Sequence, residues 1–257
     1  MAEIEITFLG TGTSQGVPIV TCQCEVCKSC DARDKRLRSS VLVKTKGKNI
    51  LIDIGPDFRQ QALLENITRL DAILLTHAHR DHTAGIDEVR SFNYVQQSPI
   101  DVYACETTID VLKQNNSYIF GNDPYPGAPQ INLVQVSNDK PFHIDDIEIL
   151  PVEILHWNLH ILGYRIGKFT YITDASAITD EELEKIKGTE VLVLNALRKD
   201  PHVSHFSLSE ALEVIEKIQP KTAYLTHIGH LMGLHKDVSK ELPNNVFLAY
   251  DRLKISL

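Results

Sequence analysis

Seven residues, Thr76-His77-Ala78-His79-Arg80-Asp81-His82, constrain this chain more than any other stretch. They follow an apolar run, Ala72-Ile73-Leu74-Leu75, that reads as a short buried strand, and they precede Gly85 and the start of a helical pattern. Four potential metal ligands therefore crowd the end of one strand. Alternation along extended backbone sends His77 and His79 to the same side. The turn that follows frees Asp81 and His82 from that alternation. A compact bend can thus aim two ligands at one ion and two at a neighbour. Imidazole nitrogen and carboxylate oxygen suit Zn²⁺, Mn²⁺ or Fe. A solvated His-rich turn would explain a lone histidine, but not three His and an Asp at this spacing.

The theme recurs downstream. The strand pattern 147–152 is followed by His156, and 169–173 by Asp174. Ala223-Tyr224-Leu225-Thr226 runs into His227-Ile228-Gly229-His230. His77, His79, Asp81, His82, His156, Asp174 and His227 together exceed what one ion needs. They suit two divalent ions ~3.5–4 Å apart that share a carboxylate. Asp174 is the natural bridge, because its segment offers no other ligand. His77, His79 and His156 then fall to one ion, and Asp81, His82 and His227 to the other. Asp53, which ends the strand Asn49-Ile50-Leu51-Ile52, is placed to accept a hydrogen bond from a ligating His.

Four of the five cysteines cluster as Cys22, Cys24, Cys27 and Cys30. In a reducing compartment such clusters read as metal ligands rather than disulfides, and three or four thiolates this close suit tetrahedral zinc. Surface thiols without metal are the alternative. Cys105, in an apolar strand, reads as a small core residue. The loop Gly10-Thr11-Gly12-Thr13-Ser14-Gln15-Gly16 lacks the Lys-Ser/Thr of a P-loop, so it reads as a tight loop packed near a metal site. Asp34 to Ser40 is locally basic. It is either a solvated loop or an anion clamp in which Arg36 and Arg38 fork a phosphate. Residues 115–130 break the pattern, and their aromatics Tyr118, Phe120 and Tyr125 could line a substrate pocket, form a dimer contact or cover a core edge.

Composition bounds these readings. The chain has 257 residues, 43% of them apolar, enough for a sizeable core. Without a Pro/Gly-rich linker or a repeat, residues 1–257 read as one domain with a Cys-rich loop at 21–30. A net charge of -8 argues against a nucleic-acid groove. No apolar run approaches the ~20 residues of a membrane span. The N-terminus is acidic and enters a strand pattern directly, unlike a secretory signal. The expectation is a cytoplasmic protein. Further strand patterns cover 4–9, 41–43, 101–104, 131–136, 162–166, 191–194, 246–249 and 253–256. Helical patterns cover 56–65, 85–94, 107–114 with Thr107 as N-cap, 180–187 and 207–218.

Thr-His-x-His-x-Asp-His, with His156, Asp174 and His227 at strand ends, resembles the metallo-β-lactamase superfamily over essentially the whole chain. The resemblance implies an α/β (α+β) fold, a four-layer αββα sandwich with a dinuclear site at one edge of its two sheets. Gly10-Thr-Gly-Thr-Ser-Gln-Gly-Val-Pro18 followed by Cys22, Cys24 and Cys27 is similar to the phosphoribosyl cyclic phosphodiesterase group of bacterial phosphonate degradation. That similarity implies two divalent active-site ions (Zn or Mn) and one structural zinc. The zinc would be held by Cys22, Cys24, Cys27 and His230, with Cys30 an extra thiol that could replace His230. It also implies a catalytic His before the penultimate long helix, here His205, acting beside Asp81. The activity it implies is hydrolysis of a small, cyclic phosphodiester by a metal-bridging hydroxide, in a chain that could form a homodimer. Two other functions fit the fold: hydrolysis of a thioester, lactone or other carbonyl substrate, and a non-catalytic accessory role in cofactor biosynthesis. A complete ligand set speaks against the last. RNA-processing endonucleases share the ligands but carry an added basic arm for tRNA, which this sequence lacks.

Overall fold

The computed structural model describes residues 4–123 and 125–257. Its strands are β1 (Ile4–Gly10), β2 (Ser40–Thr45), β3 (Lys48–Ile52), β4 (Ala72–Leu74), β5 (Ile100–Ala104), β6 (Ile131–Gln135) and β7 (Phe142–Ile144). They continue as β8 (Ile147–His156), β9 (Leu159–Ile166), β10 (Phe169–Tyr171), β11 (Val191–Asn195), β12 (Thr222–Thr226), β13 (Val246–Leu248) and β14 (Lys254–Ser256). They form two seven-stranded sheets, β14-β1-β2-β3-β4-β5-β6 and β13-β12-β11-β10-β9-β8-β7.

Strand alternation deals apolar side chains to both faces of each sheet. Ile50 and Ile52 of β3 and Ala72 and Leu74 of β4 enter the core between the sheets, while Leu51 and Ile73 point the other way. That outer face is covered by the helices Phe58–Leu64, Val89–Gln96 and Glu106–Asn115. In β11, Val193 faces the first sheet, and Leu192 and Leu194 face the helices Asp180–Lys185 and Leu208–Ile218. The three buried layers make the chain an αββα sandwich. Phe8, Tyr164, Phe169 and Tyr171 fill the middle layer and are fully buried. Burying each such side chain contributes about 1.5–3 kcal/mol.

Topology then fixes where chemistry can sit. Strands β3 to β6 are parallel, as are β10 to β13, and β8 runs parallel to β10 through the antiparallel β9. Their carboxyl ends emerge along one edge of the sandwich, where ligands bind in open α/β sheets. The strand read as 147–152 runs on to His156, because Ile154 keeps its place in the core and the hairpin with β9 pairs His156 with Leu159. The helix read from Thr107 starts at Glu106 with Cys105 as its N-cap. Cys105 is accordingly half-buried at the end of β5, not sunk in the strand. The short strand β7 and the turn Ser117–Phe120 carry patterns too brief to read by period. Within 115–130, Ile119 and Phe120 pack on the outer core, whereas Tyr118 and Tyr125 are exposed; Pro124 lies outside the described residues.

The helix Leu208–Ile218 matters most for the site. Ser207 and Glu210 cap its N-terminus reciprocally, and Leu208, Ala211, Val214, Ile215 and Ile218 are buried at helical spacing. The loop before it carries His202 and His205. Phe206 pins that loop, donating N–H to the carbonyl of Ala175 at 2.7 Å and accepting from Leu197 at 2.9 Å.

Candidate metal centre

β4 delivers the first ligands, and its end is gripped from both sheets. The Tyr164 hydroxyl donates to the Leu75 carbonyl at 2.6 Å, and Leu162 N–H donates to the Thr76 carbonyl at 2.9 Å. Thr76 is fully buried and donates its N–H and hydroxyl to Asp53, at 2.8 and 2.9 Å. Asp53 Oδ2 also lies 2.6 Å from His82 Nδ1. This carboxylate therefore orients His82 so that Nε2 faces the centre. Asp53, Asp174 and His227, each following a parallel strand, sit at φ of 63°, 59° and 55°. This left-handed conformation is uncommon outside glycine and costs on the order of 1–3 kcal/mol each. At all three positions the reversal turns a side chain into the site.

The ligand atoms fall into overlapping groups. His77, His79 and His156 form one, and Asp81, His82, Asp174 and His227 another, with ligand atoms within 4.8 Å of one another in each. Asp174 also groups with His156 and His205, so it lies between the two sets. His82 Nε2 stands 3.1 Å from Asp81 Oδ2 and 3.3 Å from Asp174 Oδ2, and His227 Nε2 is 3.2 Å from Asp174 Oδ1. His77 Nε2 and His82 Nε2 are buried without a hydrogen-bond partner. Orphaned buried nitrogens facing carboxylates fit a cation between them, since an unpaired buried polar atom is otherwise costly.

Electrostatics agree. Burial holds His77 well below the usual histidine range, and holds His156 low and His227 at about 4. Burial would do the same to His82, but Asp174, Asp53 and Asp81 outweigh it and push His82 well above the normal value. Burial would raise Asp174, yet the surrounding imidazoles, His227 first, hold it well below the carboxylate range; Asp81 is likewise held low against burial by His82. Imidazoles whose burial disfavours protonation, carboxylates held low, and a field that demands positive charge at His82 are the conditions that suit a divalent cation. The groups could hold divalent metal.

The remaining groups hold the rings in place. His156 Nδ1 donates to the Ser204 carbonyl at 2.7 Å, which leaves Nε2 for the site. His205 Nε2 lies 3.1 Å from Asp174 Oδ1, and its ring stacks on His227 with centroids 5.0 Å apart. Asn195 escaped sequence reasoning. Its side-chain oxygen accepts from Ala175 N–H at 2.7 Å and its amide donates to the Ala175 carbonyl at 3.0 Å, which fixes the turn behind Asp174. Its only sequence signal was a polar residue closing a buried strand.

The second cluster lies beside the first. His230 Nδ1 is 3.3, 3.4 and 3.6 Å from the sulfurs of Cys22, Cys24 and Cys27. A tetrahedron with Zn–S near 2.3 Å and Zn–N near 2.0–2.1 Å has N···S edges of about 3.5 Å, so the spacing fits zinc. Cys30 is exposed and outside this group. The Cys27 N–H hydrogen bond lowers the Cys24 thiol to about 6, while burial raises Cys27 to about 11. The Gly-rich loop joins the two clusters, with Thr13 Oγ1 3.3 Å from His227 Nε2 and Gly12 bridged to Ile228.

Both sequence readings of the basic segment fail at Arg36. It is buried, and donates to Thr11 Oγ1 at 2.8 Å and to the Ala249 carbonyl at 2.5 Å. It holds the Gly-rich loop to the end of β13. Arg38 pairs with Asp57 at 3.1 Å and donates to the Ser14 carbonyl, which ties the same loop to the first helix layer. Neither guanidinium is a free phosphate clamp.

A family profile described as a beta-lactamase superfamily domain matches residues 48–228. The chain belongs to the beta-lactamase superfamily. Its metallo-β-lactamase fold is shared with the crystal structure of a diphosphatase from the PhnP family, at a TM-score of 0.93 and 40% identity over 100% of this chain and 98% of that one. The Zn²⁺-bound PqqB of Methylobacterium extorquens shares the fold at a TM-score of 0.81 and 18% identity, over 98% and 100% of the two chains. An octanoyltransferase of Porphyromonas gingivalis is 42% identical over 249 residues, 96% of this chain and 50% of that protein. This superfamily chain thus spans about half the length of that curated relative. Among the described residues no helix is long and apolar enough to cross a membrane.

Proposed function

We propose that this chain is a metal-dependent phosphodiesterase acting on a small, cyclic phosphodiester. The observation that carries the reading is Asp174: it is within reach of both ligand groups and of His205 at once. His77, His79 and His156 would hold one divalent ion and Asp81, His82 and His227 the other, with Asp174 between. Zinc or manganese suits this donor set. Bound there, such ions lower the pKa of water and neutralise phosphate oxygens. The protein's own residues do the rest. Asp53 and Thr76 hold His82 and His77 in register, and Ser204 fixes His156. His205 is partly exposed at the mouth and is positioned to carry a proton to the departing oxygen. Cys22, Cys24, Cys27 and His230 would bind a structural zinc that fixes the Gly-rich loop behind His227.

Similarity to a diphosphatase supports phosphorus rather than a carbonyl carbon as the electrophile. The test is a panel of 2′,3′-cyclic nucleotide, bis-p-nitrophenyl phosphate, thioester and nitrocefin, assayed with added Mn²⁺ and Zn²⁺. Phosphodiester turnover is expected, and turnover of the thioester or nitrocefin alone would contradict it. His205→Ala should cut kcat by about 10²–10⁴-fold, the usual contribution of a general acid, with bound metal unchanged. An unaltered kcat removes His205 from the chemistry.

A further inference from the structure

The turn directly after His156 carries a tryptophan in a place that local structure does not favour. Trp157 is the only tryptophan of the chain. With Asn158 it forms the two-residue turn between His156 and Leu159, at φ of 54°. Turns of this kind select Gly, Asn or Asp, and a bulky residue at positive φ is a genuine outlier. Packing does not repay the choice, because Trp157 is 63% exposed. Strain of this sort gathers at functional sites.

Its position says which function. Trp157 directly follows His156, and its N–H donates to Ser176 Oγ at 2.8 Å, two residues beyond Asp174. Its backbone is therefore clamped between two ligand-bearing segments. Leu159 is exposed across the turn, and Val203 is exposed beside Ser204, whose carbonyl holds His156. Exposed apolar side chains, one of them aromatic, thus flank in sequence the segments that carry His156 and the carbonyl that holds it.

We infer that Trp157 is a substrate-binding platform that stacks on a planar nucleobase carried by the phosphodiester. The inference rests on the proposed phosphodiesterase reading and narrows its substrate class to nucleotides. Stacking of one base on an aromatic side chain is sequence-tolerant and worth a factor of about 5–150 in affinity. The platform binds and orients; it takes no part in proton transfer.

The experiment compares a 2′,3′-cyclic nucleotide with ethylene cyclic phosphate, which has no base, on the metal-loaded enzyme. Trp157→Ala should raise KM for the nucleotide by about 10–100-fold, leave its kcat within about twofold, and leave both constants for the base-free ester unchanged. Trp157→Phe should recover most of the loss. Trp157→Gly, which suits the positive φ, should match the alanine variant in KM with an equal or higher melting temperature. A structural role would instead lower the melting temperature and affect both esters alike, which would overturn the inference, as would an unchanged nucleotide KM. Because Trp157 is the only tryptophan, AMP titrated into the wild-type protein should quench its intrinsic fluorescence. Quenching without turnover of either ester would sink the phosphodiesterase reading while sustaining the platform; absence of quenching would refute the platform whatever the turnover.

Discussion

Asp53 orients the candidate metal centre without joining either ligand group. It is fully buried, burial raises its carboxyl above the usual range, and it meets Thr76 on one side and His82 on the other. Asp53→Asn keeps an oxygen for Thr76 N–H but presents an amide to His82 Nδ1, favouring the wrong tautomer. The expected result is a loss of metal affinity of about 10–100-fold, with circular dichroism unchanged. Calorimetric titration of the stripped protein measures it, and unaltered affinity would remove Asp53 from that role. Asp53 was legible in the sequence because an Asp closing an apolar strand near a His-rich turn has few other uses. Thr76 and Asn195 were not, since a small polar residue at a strand end has many. Arg36 misled for a related reason: charge predicts exposure, and only the tertiary fold reveals a buried guanidinium satisfied by Thr11 and a carbonyl.

Among elements, the Cys loop and the segment after β12 depend on each other. Cys22, Cys24 and Cys27 lie on a stretch whose regular structure is a single helical turn, Glu25–Lys28, and whose apolar core is a small cluster around Val17, Val26 and Cys27. So little buried surface cannot hold a loop alone, and a structural metal commonly supplies the difference. Cys22→Ser should lower the melting temperature and the zinc content while a residual active-site metal still supports turnover. Zinc analysis with thermal denaturation checks this, and equal zinc content would contradict a fourfold site including Cys22. The repeated cysteines made the loop readable, the resemblance pointed to His230 with Cys30 as a substitute, and the fold brings His230 within 3.6 Å of the three sulfurs while Cys30 is exposed. Hairpin β8–β9 was underread because polar Glu153 and His156 interrupt its apolar run, although alternation continues beneath them.

Across the molecule, the architecture follows from strands apolar on both faces. Such strands can only be middle layers, and helices must cover them. Two parallel runs of strands, with β8 aligned to the second through β9, then place Asp53, His77, His156, Asp174 and His227 on one edge, far apart in sequence and adjacent in space. Periodicity showed the strands, ligands recurring at strand ends showed this edge, and the layering came from the family resemblance. Trp157 was not readable, because it obeys no pattern. The central claim is that Asp174 joins two ligand groups into one dinuclear centre, next to a separate zinc site. Elemental analysis of purified wild type and Asp174→Ala tests it most directly. Three divalent ions per wild-type chain are predicted, falling to the single Cys-bound zinc, or nearly so, in the variant. Retention of all three ions by Asp174→Ala would contradict the account.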